Sequence, residues 1–296
     1  MQLRFRFIYE HRDVWPVDSQ CRVLLVTRAG YYKFLCQPTS KTQAKQTKIV
    51  IEMQRIHSLP KLDNYGSPRM HKVLNKPGVK CCENTVAKLM QREGIRARLA
   101  PKFRVITTDS KHDLPISPNL LGQDFQAKTT NQVWLTDFTY IQRMKEFSYL
   151  CTVQDLYSRC IVGWAVGTKI DAALAIEALD QAIALRQPKT RLIVHSDRGS
   201  QYASLAYRNR LQRHQCVQSM SRKGNCYDNA PMESFFKSFK TEEVYQATYQ
   251  THEQIVRATT DYIERFCNRS RLHSALDYMS PIDFERLRSQ DYTLVV

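Results

Sequence analysis

The chain has 296 residues, with 44 Lys and Arg against 28 Asp and Glu, a formal net charge of +16. That length allows one sizeable core plus one or two small domains, and the basic excess points to a polyanionic partner such as nucleic acid. No apolar run approaches the roughly 18 residues a membrane span needs, and Met1-Gln2-Leu3-Arg4-Phe5-Arg6 lacks the apolar centre of a signal peptide, so a cytoplasmic protein is expected. Nine cysteines without a C-x-x-C pair read as buried thiols of a reducing compartment rather than as zinc ligands. The charge is uneven: residues 1–124 hold 22 Lys and Arg against 10 Asp and Glu, and residues 125–296 hold 22 against 18. A nucleic-acid-holding part followed by a chemical part is the organisation this implies.

In chain order, residues 1–37 read as short helices. Val17-Asp18-Ser19 starts one that runs through Leu25, and Thr27 caps the next, Arg28 to Leu35. Two short helices joined by a tight turn suit a helix-turn-helix, and a polar, Pro-containing linker follows at Gln37 to Lys41. Ile49, Met53 and Ile56 recur with a helical period. A further helix opens with Ser67 as cap and Pro68 at its first position and closes at Pro77-Gly78. The last of this group runs from Glu83 to Arg92 and closes at Gly94, with Cys82 a poor cap at its start. This divides the basic half into a helix-turn-helix-like unit at 1–40 and a second at 41–104. Residues 105–125, with Pro115 and Pro118 and no clear period, form a linker to a core at 126–296.

Val133 to Ile141 alternates in the strand period with β-branched and aromatic residues, placing Asp137 mid-strand on one face with Leu135 and Thr139. A lone Asp in a strand is unfavourable unless something pairs with it. Phe147 to Val153 and Cys160 to Val166 follow as strands, then an Ala-rich helix from about Asp171 to Leu185. Arg191 to Val194 leads into Asp197, which Gly199 sets at a rim. A helix near Ala203 to Arg213 and a strand at Cys216 to Met220 come next. Asn229 and Pro231 open a helix on which Met232, Phe235, Phe236 and Phe239 make an apolar stripe flanked by Glu233, Lys237 and Lys240. Three hairpin-connected strands followed by strand–helix alternation predict an α/β fold with a mixed sheet and helices on its faces. Asp155, another carboxylate after a strand, reads as structural or weakly auxiliary. Three carboxylates on separate elements, Asp137, Asp197 and Glu233, suit divalent cations with oxygen ligands and a phosphoryl displacement between two of them.

Trp134-x-Thr136-Asp137-x-Thr139-Tyr140, His195-Ser196-Asp197-x-Gly199-Ser200-Gln201-Tyr202 and Asp228-Asn229-Ala230-x-x-Glu233-Ser234-Phe235-Phe236 together resemble the DDE transposases of the "IS three" insertion-sequence family, specifically their second reading-frame product, OrfB. Between Asp197 and Glu233 lie 35 residues, the spacing that family shares with retroviral integrases. The resemblance implies an RNase H-like, integrase-type catalytic core and DNA strand cleavage and strand transfer at the ends of an insertion sequence. Asp137, Asp197 and Glu233 would be its catalytic and metal-binding triad, holding two Mg²⁺ ions, with Mn²⁺ able to substitute. Arg28, Arg69, Arg198, Arg222, Lys223, Lys237 and Lys240 are the candidate DNA contacts, Lys240 matching the family's basic residue near the DNA end. The partners implied are the element's terminal inverted repeats and target DNA, at least one further copy of the chain, and an upstream OrfA-type partner or fusion. A bacterial, nucleoid-associated location and a circular intermediate belong to the same expectation. The tail from Tyr262 to Leu276 matches too, but departs from the family at Cys267, usually Tyr, and at Asp277, usually Gly. A non-catalytic DNA-binding regulator, or a decayed element product, is the alternative that these residues leave open.

Overall fold

A computed structural model describes residues 1–36, 41–76, 78–98, 112–144, 146–189, 191–222 and 226–293. The chain forms two compact units, one of Met1–Leu59 with Met70–Arg96 and the other of Pro60–Arg69 with Ala97–Val296. No helix among the described residues is long and apolar enough to cross a membrane.

The first unit is helical: α1 (Gln2–Glu10), α2 (Val17–Val23), α3 (Arg28–Leu35), α4 (Lys41–His57), the later part of α5 (Ser67–Asn75) and α6 (Glu83–Arg92). Thr27 caps α3 as its sequence predicts, its Oγ1 accepting from Gly30 N at 3.1 Å. The helix expected to reach Leu25 stops at Val23, because Leu25 takes a left-handed φ of 53° and turns the chain into α3. Phe5, Ile8, Cys21 and Tyr31 close the core of these three helices. On α4 the buried Ile49, Met53 and Ile56 keep the i, i+4, i+7 spacing of one face. Cys82 occupies the N-cap of α6 without capping it; its Sγ lies 3.1 Å from Thr85 Oγ1 instead. The predicted linker at 37–41 lies outside the described residues save for Lys41, the first residue of α4.

The second unit is built on a five-stranded sheet of order β3-β2-β1-β4-β5. β1 (Val133–Arg143), β2 (Glu146–Asp155) and β3 (Ile161–Gly167) form an antiparallel meander; β4 (Ile193–Ser196) and β5 (Val217–Met220) add in parallel. This is the mixed sheet the alternation predicts, with β1 at its centre. Alternating side chains send Trp134 and Phe138 to one face, where α7 (Ala172–Arg186) and α9 (Leu205–Arg213) cover them, and Leu135 and Ile141 to the other. Gly163 on β3 lets α7 approach: a Cβ there would stand 2.2 Å from the Ala178 carbonyl oxygen. The second face is covered by α10 (Ala230–Glu242) and by α11 (His252–Thr260), which runs on into a π-helical turn, Asp261–Cys267. Met232, Phe235, Phe236 and Phe239 are all buried there, as their spacing predicts. The short α8 (Ser200–Ala203) precedes α9, and α12 (Pro281–Thr293) ends the unit, held to α7 by a two-pronged Arg186–Glu285 pair at 2.9 Å.

Candidate active site

Register places the first two carboxylates. Parallel β1 and β4 align Leu135 with His195, so two residues further along each strand Asp137 and Asp197 come level on neighbouring tracks, about 4.8 Å apart in a regular sheet. Both fall on the odd-numbered face with Leu135 and Ile193, the face that α10 covers. Asp197 comes immediately after β4, whose last residue is Ser196. Backbone amides hold both side chains: Phe138 N donates to Asp137 Oδ1 at 2.7 Å, and Gly199 N to Asp197 Oδ1 at 2.9 Å. A side chain at Gly199 would meet Asp197 Oδ1 at 3.1 Å and Gln201 Oε1 at 2.4 Å, so this glycine keeps the turn close to the carboxylate.

Glu233 comes from the first turn of α10, where Pro231 fits because the opening amides of a helix need no intrahelical partner. Asn229 occupies the N-cap but does not cap. Its Nδ2 donates instead to the Thr136 carbonyl at 3.4 Å, tying the start of the Glu233 helix to the strand of Asp137. Burial first, then the negative charges of Asp197 and Glu233, raise the Asp137 pKa well above the usual carboxylate range, against the Phe138 amide and the positive charge of Lys240. Asp197 acts on it more strongly than Glu233, whose residue is exposed on α10. Among the described residues no three His, Cys, Asp or Glu side chains are drawn together closely enough to hold a metal ion; the three carboxylates share a face and a field rather than a closed cage.

Lys240 stands on the same helix, its Nζ 3.8 Å from the centre of the Tyr140 ring on β1. Burial pushes its pKa down to about 8, with the charge of Asp137 opposing the shift. Lys237 is exposed one turn away. Arg198 donates its Nε to the Ser221 carbonyl at 2.6 Å, and its own carbonyl bonds the His112 ring at 2.8 Å. Arg222 forms a two-pronged pair with Asp228. Arg69 is half-buried, 3.8 Å from Glu242 and over the Tyr65 ring. In the helical unit, Arg28 lies 3.5 Å from Asp18. Lys223 is outside the described residues.

Residues without a predicted role also hold the site. His195 is fully buried between Ser219 Oγ at 2.8 Å and Ser221 Oγ at 3.1 Å, and burial pushes its pKa down to about 4, which keeps the ring neutral. Asp228 accepts from Asn119, Gln123 and Arg222, whose guanidinium holds its carboxyl below the usual range. It thereby pins the loop before α10 to the segment at 117–123. That segment is itself stitched along β5 through Ser117 to Gln218 and Leu120 N to Ser219. Both residues sit inside or beside the quoted motifs, but only the fold reveals their partners.

The mixed sheet with helices on both faces belongs to an integrase-type core, as the family comparison shows. Residues 127–226 match the Integrase core domain family and 233–288 a second Integrase core domain family, while 45–103 match an HTH-like domain. The transposase InsF for insertion sequence IS3A of Escherichia coli (strain K12) is 38% identical over 285 residues, 96% of this chain and 98% of its own. A 31 kDa protein of insertion element IS600 of Shigella sonnei is 37% identical over 264 residues, 89% of this chain and 96% of its own. The solved HTLV-2 integrase catalytic core domain, in complex with magnesium, aligns over 54% of this chain and 99% of its own at 15% identity and a TM-score of 0.42. The chain belongs to the IS3-family transposases, with an integrase core domain, and its function is DNA transposition.

Proposed function

We propose that Asp137, Asp197 and Glu233 are the catalytic carboxylates of a DDE-type strand transferase acting at the ends of an insertion sequence. The observation that carries this reading is the convergence of the three on one face of the sheet, with Asp137 feeling the charge of both others. Three hard oxygen donors fit Mg²⁺, and Mn²⁺ in its place. Asp137 and Asp197 would hold the metal side by side, with Glu233 completing the set. Two such ions, when bound, favour in-line displacement at phosphorus by stabilising the attacking and leaving oxygens.

The chain's own residues do the rest. The Phe138 and Gly199 amides fix the two aspartates, so their oxygens are aimed before DNA arrives. Lys240, packed on Tyr140, and exposed Lys237 hold the strand's phosphates alongside Glu233. A water oxygen attacks one phosphodiester; its P–O3′ bond breaks, leaving a 5′-phosphate and a 3′-hydroxyl. That hydroxyl then attacks a second phosphodiester, which exchanges one P–O bond for another and needs no external energy source. The terminal inverted repeats and target DNA are the substrates. Joining two ends calls for at least two copies of the chain, and an upstream OrfA-type partner or fusion completes the machinery.

The test uses purified protein, labelled element-end DNA and Mg²⁺, read on a denaturing gel. Asp197→Asn should lose cleavage by at least about a hundredfold, as for loss of a principal catalytic group, while binding the same DNA within about twofold. A variant that cuts as well as the parent removes Asp197 from the chemistry.

A further inference from the structure

Behind the carboxylate site, α10 borders a cavity of about 300 Å³. Helical spacing gives this helix three faces, each roughly a third of a turn from the next. Glu233, Lys237 and Lys240 occupy one, the buried Phe residues the second, and Ala230, Ser234 and Ser238 the third, which forms a wall of the cavity.

The opposite walls carry three guanidiniums, those of Arg69, Arg159 and Arg271. Two carboxylates stand near them, and both are engaged. Glu242 binds Arg271 through two bonds at 2.7 and 2.8 Å and takes the Tyr262 hydroxyl at 2.7 Å, with Arg69 at 3.8 Å. Asp155 accepts from Asn131 N, Trp134 Nε1, Tyr157 N and Ser158 N. Arg159 feels the charge of Asp155, but among the described residues its Nη1 is buried without a hydrogen-bond partner. Gln154, 2% exposed, also lines the cavity with its Oε1 unpartnered. Burial and the fields of all three guanidiniums push His273, on the same wall, down to a pKa of about 3. An orphaned guanidinium N–H costs the fold stability unless an acceptor fills it, and the planar donor fork matches a phosphate.

We propose that this cavity is a second phosphate-binding site, separate from the three carboxylates, that takes a phosphodiester group of bound DNA. The +16 charge and the transposition function argue for DNA as the source of the phosphate rather than a free ion. Because α10 is shared, a phosphate held here braces the helix that carries Glu233.

The test is binding of the full chain to duplex DNA without divalent metal, so its failure is independent of the carboxylate assignment. Arg159→Gln and Ala275→Trp, the latter filling the exposed rim without removing a charge, should each weaken binding about 10-fold. Each should also lower the slope of log K against log salt by about one. Arg159→Gln should melt at or above the parent's temperature, since it removes an unsatisfied buried donor. In a second arm, inorganic phosphate replaces chloride at matched ionic strength, and should raise the melting temperature of the parent but of neither variant. If phosphate protects the parent while both variants bind DNA with parental affinity and slope, the site belongs to free phosphate and the DNA assignment is overturned. If Arg159→Gln lowers the melting temperature and leaves affinity and slope unchanged, the arginine is structural and the whole proposal falls.

Discussion

Asp137 and Asp155 are both carboxylates on the central strands, and their neighbours separate them. Asp155 caps a turn through several N–H donors and belongs to the architecture, as its position after a strand predicts. Asp137 receives one amide and faces the like charges of Asp197 and Glu233, opposed by Lys240. Histidines make the same contrast with opposite charge. His273 is kept neutral by burial and by Arg271, Arg69 and Arg159, its pKa pushed down to about 3. In the unfolded chain it titrates near 6.5. Between those values the unfolded state binds a proton that the folded state refuses, so stability falls as pH drops from about 6.5 toward 3. His273→Asn should flatten that fall without abolishing it, because buried His195, at about 4, contributes over the same window. Melting temperatures of parent and variant between pH 7 and 4.5 would show the curves converging toward acid; parallel curves would deny His273 its share. Asp277, where the family usually has Gly, takes a left-handed φ of 51° at the end of a short 3₁₀ turn. Asp tolerates that conformation better than most side chains, which is how the departure is accommodated.

The packing of α7 on the sheet depends on a single missing Cβ. Helix and strand meet so closely at Gly163 that an added methyl would overlap the Ala178 carbonyl at 2.2 Å and the Ala182 backbone nitrogen at 2.8 Å. Backbone cannot swing aside as a side chain can, so α7 must lift from β3. Gly163→Ala should therefore cost about 1–3 kcal/mol, the usual range for overpacking a filled core, read as a lower urea midpoint with an unchanged slope. Gly199→Ala makes a useful contrast, since its closest clash is the movable end of Gln201; it should fold nearly as well as the parent. Each alanine adds the same methyl group, and the rigidity of what it meets sets the difference. A Gly163→Ala chain as stable as the parent would mean that α7 sits farther from β3 than these distances state.

Across the whole chain, what the sequence exposes is what repeats locally. The strand alternation around Asp137, the stripe on α10, the Thr27 cap and the exact span of α6 are each written within a dozen residues. What it hides is built from distant segments. The seam of Ser117 and Leu120 along β5 joins residues about a hundred positions apart and has no period of its own. Lys61, in a stretch without a pattern, reaches Glu243 and Asp261 at 2.9 and 2.8 Å. The arginine-lined cavity needs Arg69, Arg159 and Arg271, from three separate segments, before any signal exists. The proposed catalytic carboxylates stand out for a different reason: Asp137 sits where a charge is costly, Asp197 where a turn is forced, and the motifs fix the spacing to Glu233. That reading makes a last prediction, about where metal acts. If Asp137, Asp197 and Glu233 hold Mg²⁺, binding must relieve repulsion among them and stabilise only the state in which they converge. Hydrogen exchange should then slow in β1, in the turn after β4 and in the first turns of α10, all in the sheet-bearing unit. Amides of α6, in the other compact unit, should exchange at the same rate with and without metal. Glu233→Gln should remove most of the protection, and Asp155→Asn, whatever it does to stability, should leave the metal-dependent difference in place. Equal protection of both units by Mg²⁺, or protection that survives Glu233→Gln and Asp197→Asn alike, would place the metal somewhere other than among these three side chains.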